Sequence, residues 1–246
     1  MTSIAANTLS EVLASGAGLR LIEPHIYSVF SDIEVANVYD TKFGNIYEWV
    51  ACNPLYNRIM WGYSIEKFAS ISQEALTSSK TGNILDLGCG SLAFTARKYI
   101  RYSDCPVILV DQSLKMLRLA KSRLIKLNGK VPDNMVFLHA NALQLPFQQK
   151  SFETIISLNL LHCIDDTKKL LIGLKELLTE NGKMYFTTLI KSNRLADRYL
   201  EALARGGKLI SRNIKDHQTV FDQIGMSIKY DIAGNMAYIH YDQKGK

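Results

Sequence analysis

The segment Ile84-Leu85-Asp86-Leu87-Gly88-Cys89-Gly90-Ser91-Leu92-Ala93 carries the densest chemical signal in the chain. An apolar run holding one Asp passes into a Gly-x-Gly turn and then a helical pattern. Glycines at such a turn let a ligand approach the backbone closely, and the helix start behind them favours polar or anionic groups. The spacing satisfies the G-x-G-x-x-A form of a dinucleotide fingerprint, with Asp111 placed 21 residues after Gly90. An acidic residue there reads as an acceptor for ribose hydroxyls. The implied chemistry is capture of a ribose-bearing cofactor, either nicotinamide or adenosyl.

Three features bear on the choice. Asp86 stands two residues before Gly88, where a carboxylate helps a ligand with an amino group and a sulfonium charge but opposes a pyrophosphate. A third strand pattern leads to Asn141-Ala142-Leu143-Gln144-Leu145-Pro146-Phe147. A fourth ends in Ser157-Leu158-Asn159-Leu160-Leu161-His162.

Positioning these residues requires alternating strands and helices. Strand patterns fall at 83–87, 107–110, 135–139, 154–158 and 183–190, with helical patterns at 92–102, 113–127 and 165–179 between them. Asn181-Gly182 supplies a helix-ending signal after the last. This order predicts an α/β fold, a doubly wound and mostly parallel sheet with helices on both faces. Helical patterns at 193–205 and 214–224 precede strand patterns at 226–232 and 236–241. Ala233-Gly234-Asn235 between those strands predicts a C-terminal antiparallel hairpin. Residues 1–80, mostly helical by pattern, are expected to form an N-terminal cap or lid, and residues 81–246 the cofactor domain. Eight of the 23 aromatic residues lie in 39–68, both tryptophans among them.

Composition narrows the class. At 47% hydrophobic and 21% charged residues the chain is globular, not disordered. Its apolar runs fall far short of the ~20 residues of a membrane span. Four cysteines show neither CxxC pairs nor zinc spacing, so no metal is expected. The N-terminus lacks a basic stretch followed by an apolar one, and the expected location is the cytoplasm. Residues 97–130 hold nine Lys/Arg against two Asp, within a net charge of +6. Met116, Leu117, Ala120, Leu124 and Leu127 share one stripe of that helical pattern, with Lys115, Arg118, Arg123 and Lys126 around the other side. Such a face can hold nucleic acid. No aromatics interleave with the charges, so a solvated outer face is expected and nucleic acid is not.

In this order the motifs resemble class I S-adenosylmethionine-dependent methyltransferases, and within them the small-molecule branch that includes ubiquinone/menaquinone C-methyltransferases. The resemblance covers roughly residues 80–190 and implies a Rossmann-like fold, S-adenosylmethionine as cofactor and S-adenosylhomocysteine as product. It implies that Asp86, Gly88, Cys89 and Gly90 line the methionine end. Asp111 would take the ribose hydroxyls, with Gln112 and Met116 near the adenine. Asn141 and Ala142 would hold the adenine edge, where the family usually has Asp at position 141. Asn159 and Leu160 would sit by the methyl group. His162 is a candidate base, and Tyr39, Tyr56, Trp61 and Tyr63 are candidates to line the site of a small hydrophobic or ring-containing acceptor. Three other readings stay open: an RNA methyltransferase, a nicotinamide-dependent oxidoreductase, and a non-catalytic cofactor-binding protein.

Overall fold

A computed structural model of the chain describes residues 4–30, 53–192 and 194–243. In order these form α1 (Ile4–Val12), β1 (Arg20–Glu23), β2 (Ile26–Ser28), α2 (Ile65–Ser78), β3 (Ile84–Leu87), α3 (Ala96–Tyr99), β4 (Val107–Asp111), α4 (Leu114–Asn128), β5 (Met135–His139), β6 (Phe152–Leu158), α5 (Thr167–Leu177), β7 (Leu178–Leu189), α6 (Ala196–Arg205), α7 (Ile214–Gln223), β8 (Ile228–Ala233) and β9 (Met236–Asp242). The strands join one sheet in the order β1-β2-β5-β4-β3-β6-β7-β9-β8. Pairing is parallel from β2 through β7 and antiparallel at both edges.

The apolar strands need cover on both faces, and two cores supply it. Leu85, Leu87, Ile108 and Val110 point to the face covered by α1, α5 and α7. Ile84, Val107 and Leu109 point to the face covered by α2, α3, α4 and α6. From β3 the chain winds outward to β4 and β5, then crosses to β6 on the other side of β3. The winding reverses between β3 and β6, which is where such sheets open a crevice at their C-terminal edge.

The N-terminal expectation needs correction. Residues 20–28 are not helical cap but a two-stranded addition to the sheet, with β2 parallel to β5. Strands of four and three residues are too short to show a period of two, and their turn uses His25 at φ +70° rather than a glycine. The α2 helix does not stand apart either, because Ala75 and Leu76 are buried in the same core as β3 and β4. Asn181-Gly182 is not a helix end: α5 stops at Leu177 and the pair sits in a bulge of β7. A Cβ on Gly182 would lie 2.6 Å from Leu178 Cγ and 3.0 Å from the Glu153 carbonyl, so the glycine serves close packing. Pro54 does start a helical turn, with the Asn53 side chain accepting from the Leu55 and Tyr56 amides. That turn continues through Asn57–Trp61 as one wider π turn and ends on Gly62 at φ +72°.

The C-terminal hairpin forms as expected and locks onto this turn. The Asn235 amide donates to the Trp61 carbonyl at 2.8 Å, while its side chain donates to the Ile190 carbonyl at 2.9 Å and to Asp197 at 2.6 Å. Gly234, at φ +61°, has no room for a side chain, since a Cβ would fall 2.1 Å from the Trp61 carbonyl oxygen. Gly234→Ala should therefore cost roughly 2–4 kcal/mol of stability, through strain and loss of this clasp. Urea unfolding checks it, and a cost under ~1 kcal/mol would mean the clasp yields without consequence.

Candidate active site

A cleft of about 280 Å³ opens at the C-terminal ends of β3, β4 and β6. Residues 86–95 form its floor. Asp111, Gln112, Met116, Ala140 and Ala142 form one side, and Leu158, Asn159, Leu160, Cys163 and Ile164 the other, with Phe68 reaching in from α2.

The glycine turn is shaped for close approach. Gly88 and Gly90 hold φ of +73° and +54°. A Cβ on Gly90 would meet nothing within 4 Å, so the space in front of this backbone is open. A Cβ on Gly88 would come within 3.1 Å of Leu160. Asp111 anchors the turn: one carboxylate oxygen accepts from the Gly90 amide and the other from the Ser113 amide, each at 2.8 Å. Ser113 in turn caps α4. Leu92 also adopts a left-handed backbone, at φ +55°, and is 3% exposed. The helix expected from residue 92 therefore begins only at Ala96.

Asp86 alternates with Leu85 and Leu87 and so faces the α3 side of the sheet. There the Tyr99 hydroxyl donates to it at 2.5 Å. Burial pushes the Asp86 pKa up to about 7; the Tyr99 bond opposes that rise and Asp111 adds to it. Burial likewise pushes the Cys89 thiol up. The cleft thus presents a desolvated carboxyl group poised to ionise when a positive charge arrives.

Other expected site residues fall as follows. Asp86, Gly88, Cys89, Gly90, Asp111, Gln112, Met116, Ala142, Asn159 and Leu160 all line the cleft. Asn159, at φ +61°, is held by Thr187, whose carbonyl accepts its amide at 2.8 Å and whose hydroxyl donates to its side chain at 3.3 Å. Asn141 stands just outside the lining, its side-chain oxygen accepting from the Leu143 amide at 2.9 Å.

The expectation for His162 is corrected. It lies buried behind the cleft wall, with Nδ1 accepting from the Leu189 amide at 3.2 Å. Burial, with His217 and Arg212 nearby, pushes its pKa down to about 3, so it is a neutral packing residue. The aromatic expectation is corrected too. Trp61 and Tyr63 are buried one layer back, the Tyr63 hydroxyl donating to Asn57 at 2.7 Å, and Tyr56 packs toward Tyr199. Tyr39 lies outside the described residues. Tyr63 and Lys67 have the Tyr-x-x-x-Lys spacing of a hydride-transfer pair, yet Lys67 pairs with Asp231 outside the cleft.

Sequence reasoning missed the cleft's aromatic wall, Phe68 and Phe94, whose rings meet edge to face at 5.7 Å. The available signals were Phe94's place just after the glycine turn and Phe68's place at the end of the aromatic cluster. The basic face of α4 is partly engaged within the chain: Arg118 and Lys121 pair with Glu23, and Arg123 donates to the Ser91 carbonyl. Among the described residues no cluster of three His, Cys, Asp or Glu could hold a metal ion, and no helix is long and apolar enough to cross a membrane.

A glycine turn at the switch point, flanked by carboxylates at two strand ends, defines a nucleoside-cofactor site on a doubly wound sheet. A methyltransferase-domain family model matches residues 78–236. The chain belongs to that family and is a class I S-adenosylmethionine-dependent methyltransferase. It is 27% identical over 183 residues to a ubiquinone/menaquinone biosynthesis C-methyltransferase of a Marinomonas species, covering 70% of each chain. It is 32% identical over 111 residues to a malonyl-[acyl-carrier protein] O-methyltransferase of Ilyobacter polytropus, covering 45% of this chain and 39% of that one. The fold is shared with phosphoethanolamine N-methyltransferase 2 of Haemonchus contortus, solved with S-adenosyl-L-methionine. That match has a TM-score of 0.63 and 17% identity, over 84% of this chain and 58% of that one.

The pH dependence of Asp86 follows from its position. Its pKa is higher folded than unfolded, so its contribution to stability is complete below ~4 and is lost as pH rises through about 7. Asp86→Asn should match wild type at or below about pH 4 and exceed it by roughly 1–3 kcal/mol above pH 8. Urea unfolding at both pH values measures this, and a difference independent of pH would contradict it.

Proposed function

We propose that this methyltransferase acts on a small, mainly apolar or ring-containing acceptor, and that Asp86 holds the amino acid end of S-adenosylmethionine and Asp111 its ribose. The observation that carries the cofactor assignment is the buried Asp86 carboxyl beside open space at Gly90. That arrangement fits a cationic amino acid end and would repel a pyrophosphate. The Asp111 carboxylate suits ribose hydroxyls, and Gln112, Met116 and Ala142 suit the adenine. When bound, the cofactor supplies an electrophilic methyl group on a sulfonium.

The chain's own part is alignment and exclusion of water. Phe68, Phe94, Leu160 and Ile164 give the acceptor side an apolar lining, which supports a hydrophobic or ring-bearing substrate. The titratable side chains lining the cleft among the described residues are Asp86, Cys89, Asp111 and Cys163. The two carboxylates are assigned to the cofactor and burial keeps the Cys89 thiol protonated. This favours an acceptor that brings its own nucleophile, such as an enolate or phenolate, over one needing a strong protein base.

S-adenosylmethionine and S-adenosylhomocysteine should each raise the melting temperature of the wild type. Gly90→Ala, whose methyl enters the open space of the cleft, should weaken both at least tenfold. Asp111→Ala should weaken binding by about 1.5–3 kcal/mol. Calorimetric titration reads all three, and a wild type that binds neither ligand overturns the assignment.

A further inference from the structure

We propose that the surface joining the Pro54–Trp61 turn to α6 is a docking face for an anionic phospholipid bilayer. The three most exposed large apolar side chains among the described residues are Leu195 at 85%, Ile59 at 71% and Leu55 at 65%. Leu55 and Ile59 lie on the turn, Leu195 caps the start of α6, and the half-exposed Tyr199 lies on α6. Ile59 follows Leu55 by one turn and Tyr199 follows Leu195 by one turn.

The elements touch through the residues between. The Trp61 and Tyr199 rings are 5.6 Å apart, and Tyr56 packs toward Tyr199. The Arg194 guanidinium lies against Gly62, whose added Cβ would be 2.7 Å from its nitrogens. Apolar groups that could have turned inward are thus held at the surface by an ordered, aromatic-backed joint.

Charge selects the partner. Arg58, Arg194 and Arg198 are exposed on the same two elements or at their boundary, and none has a carboxylate within 4 Å among the described residues. Asp197 is drawn inward by Asn235 and the Ser192 amide, leaving Glu201 as the exposed acid of α6. Aliphatic tips rimmed by exposed guanidinium groups complement a lipid headgroup layer, with arginines at the phosphates and leucines below them. A protein partner of ordinary composition would place carboxylates or a shaped apolar pocket there instead.

The face also lies at the functional end of the sheet. The end of β7 leads into it, and β7 runs parallel to β6, whose end lines the cleft. Arg212, which follows α6, donates to the carbonyls of Leu161 and Ile164, and Ile164 lines the cleft. A bilayer seated on this face therefore lies on the same side as the cleft.

Co-sedimentation with vesicles tests the proposal on the intact chain. Phosphatidylcholine vesicles are compared with ones containing about one third phosphatidylglycerol. The wild type should pellet with the anionic vesicles and lose about tenfold in binding in high salt. Ile59→Ser/Leu195→Ser and Arg58→Gln/Arg194→Gln/Arg198→Gln should each weaken it about tenfold or more. Their melting-temperature response to S-adenosylhomocysteine should persist, which keeps this test separate from the cofactor assignment. As a check that disturbs the fold least, Leu195→Trp should show a blue-shifted emission on adding anionic vesicles. Absence of pelleting at low salt, equal binding by the serine variant, or an unshifted Leu195→Trp emission would overturn the proposal. So would a fall in the oligomeric mass of the serine variant, which would make the face a contact between copies.

Discussion

A carboxyl group forced out of water at the end of the central strand sets the terms for the rest of the site. Asp86 cannot turn toward solvent, because the pleat of β3 directs it at Tyr99 between Leu85 and Leu87. Its charge is therefore costly until a cation lies against it. Under the proposed cofactor assignment, the glycine turn, the open space at Gly90 and the Asp111 anchor would bring a ligand's positive end to that one group. Apolar residues on the acceptor side keep the local dielectric low, which makes the attraction matter. In that proposal, cofactor capture and drying of the cleft arise from the same burial.

The glycine turn and its neighbours were legible because they are local. Ile84–Leu87, the two glycines and Asp111 fall within one β–α–β unit, whose regular geometry brings the end of β4 back beside the turn after β3. Alternation of strands and helices likewise revealed the parallel sheet and its antiparallel finish. Other parts were illegible for stated reasons. Residues 20–28 are too short to show a period, and they become strands only because β5 offers an unpaired edge. The aromatic cluster was visible, but which ring faces the cleft depends on how α2 and the turn before it pack on the sheet. That packing gives Phe68 to the cleft and withholds Trp61 and Tyr63. His162 follows a strand end, where a base would be placed, yet Leu189 takes its ring nitrogen for the backbone. The sequence neighbourhood was the right one, and the residue's orientation was not contained in it.

Glu153 shows the same division between identity and use. Its carboxylate serves the fold, since one oxygen accepts from the Ser79 hydroxyl at 2.8 Å and from the Gly82 amide at 2.7 Å. It reaches across from β6 to close the loop that feeds β3. Desolvation resists its ionisation, but the bonds from Ser79, Gly82, Thr81 and Lys80 outweigh that and lower its pKa. A carboxylate far from the cleft thus steadies the strand that carries the functional one.

The pairing of β2 with β5 has a kinetic side. Ser28 meets His139 at a sequence separation of 111, and Trp61 waits for Asn235 near the other end of the chain. During synthesis the N-terminal hairpin emerges first and has no edge to join until β3, β4 and β5 have assembled. Its exposed strands and Leu21 must remain without a partner through that interval. The N-terminal margin waits only for β5, whereas the C-terminal one closes only once Asn235 reaches Trp61.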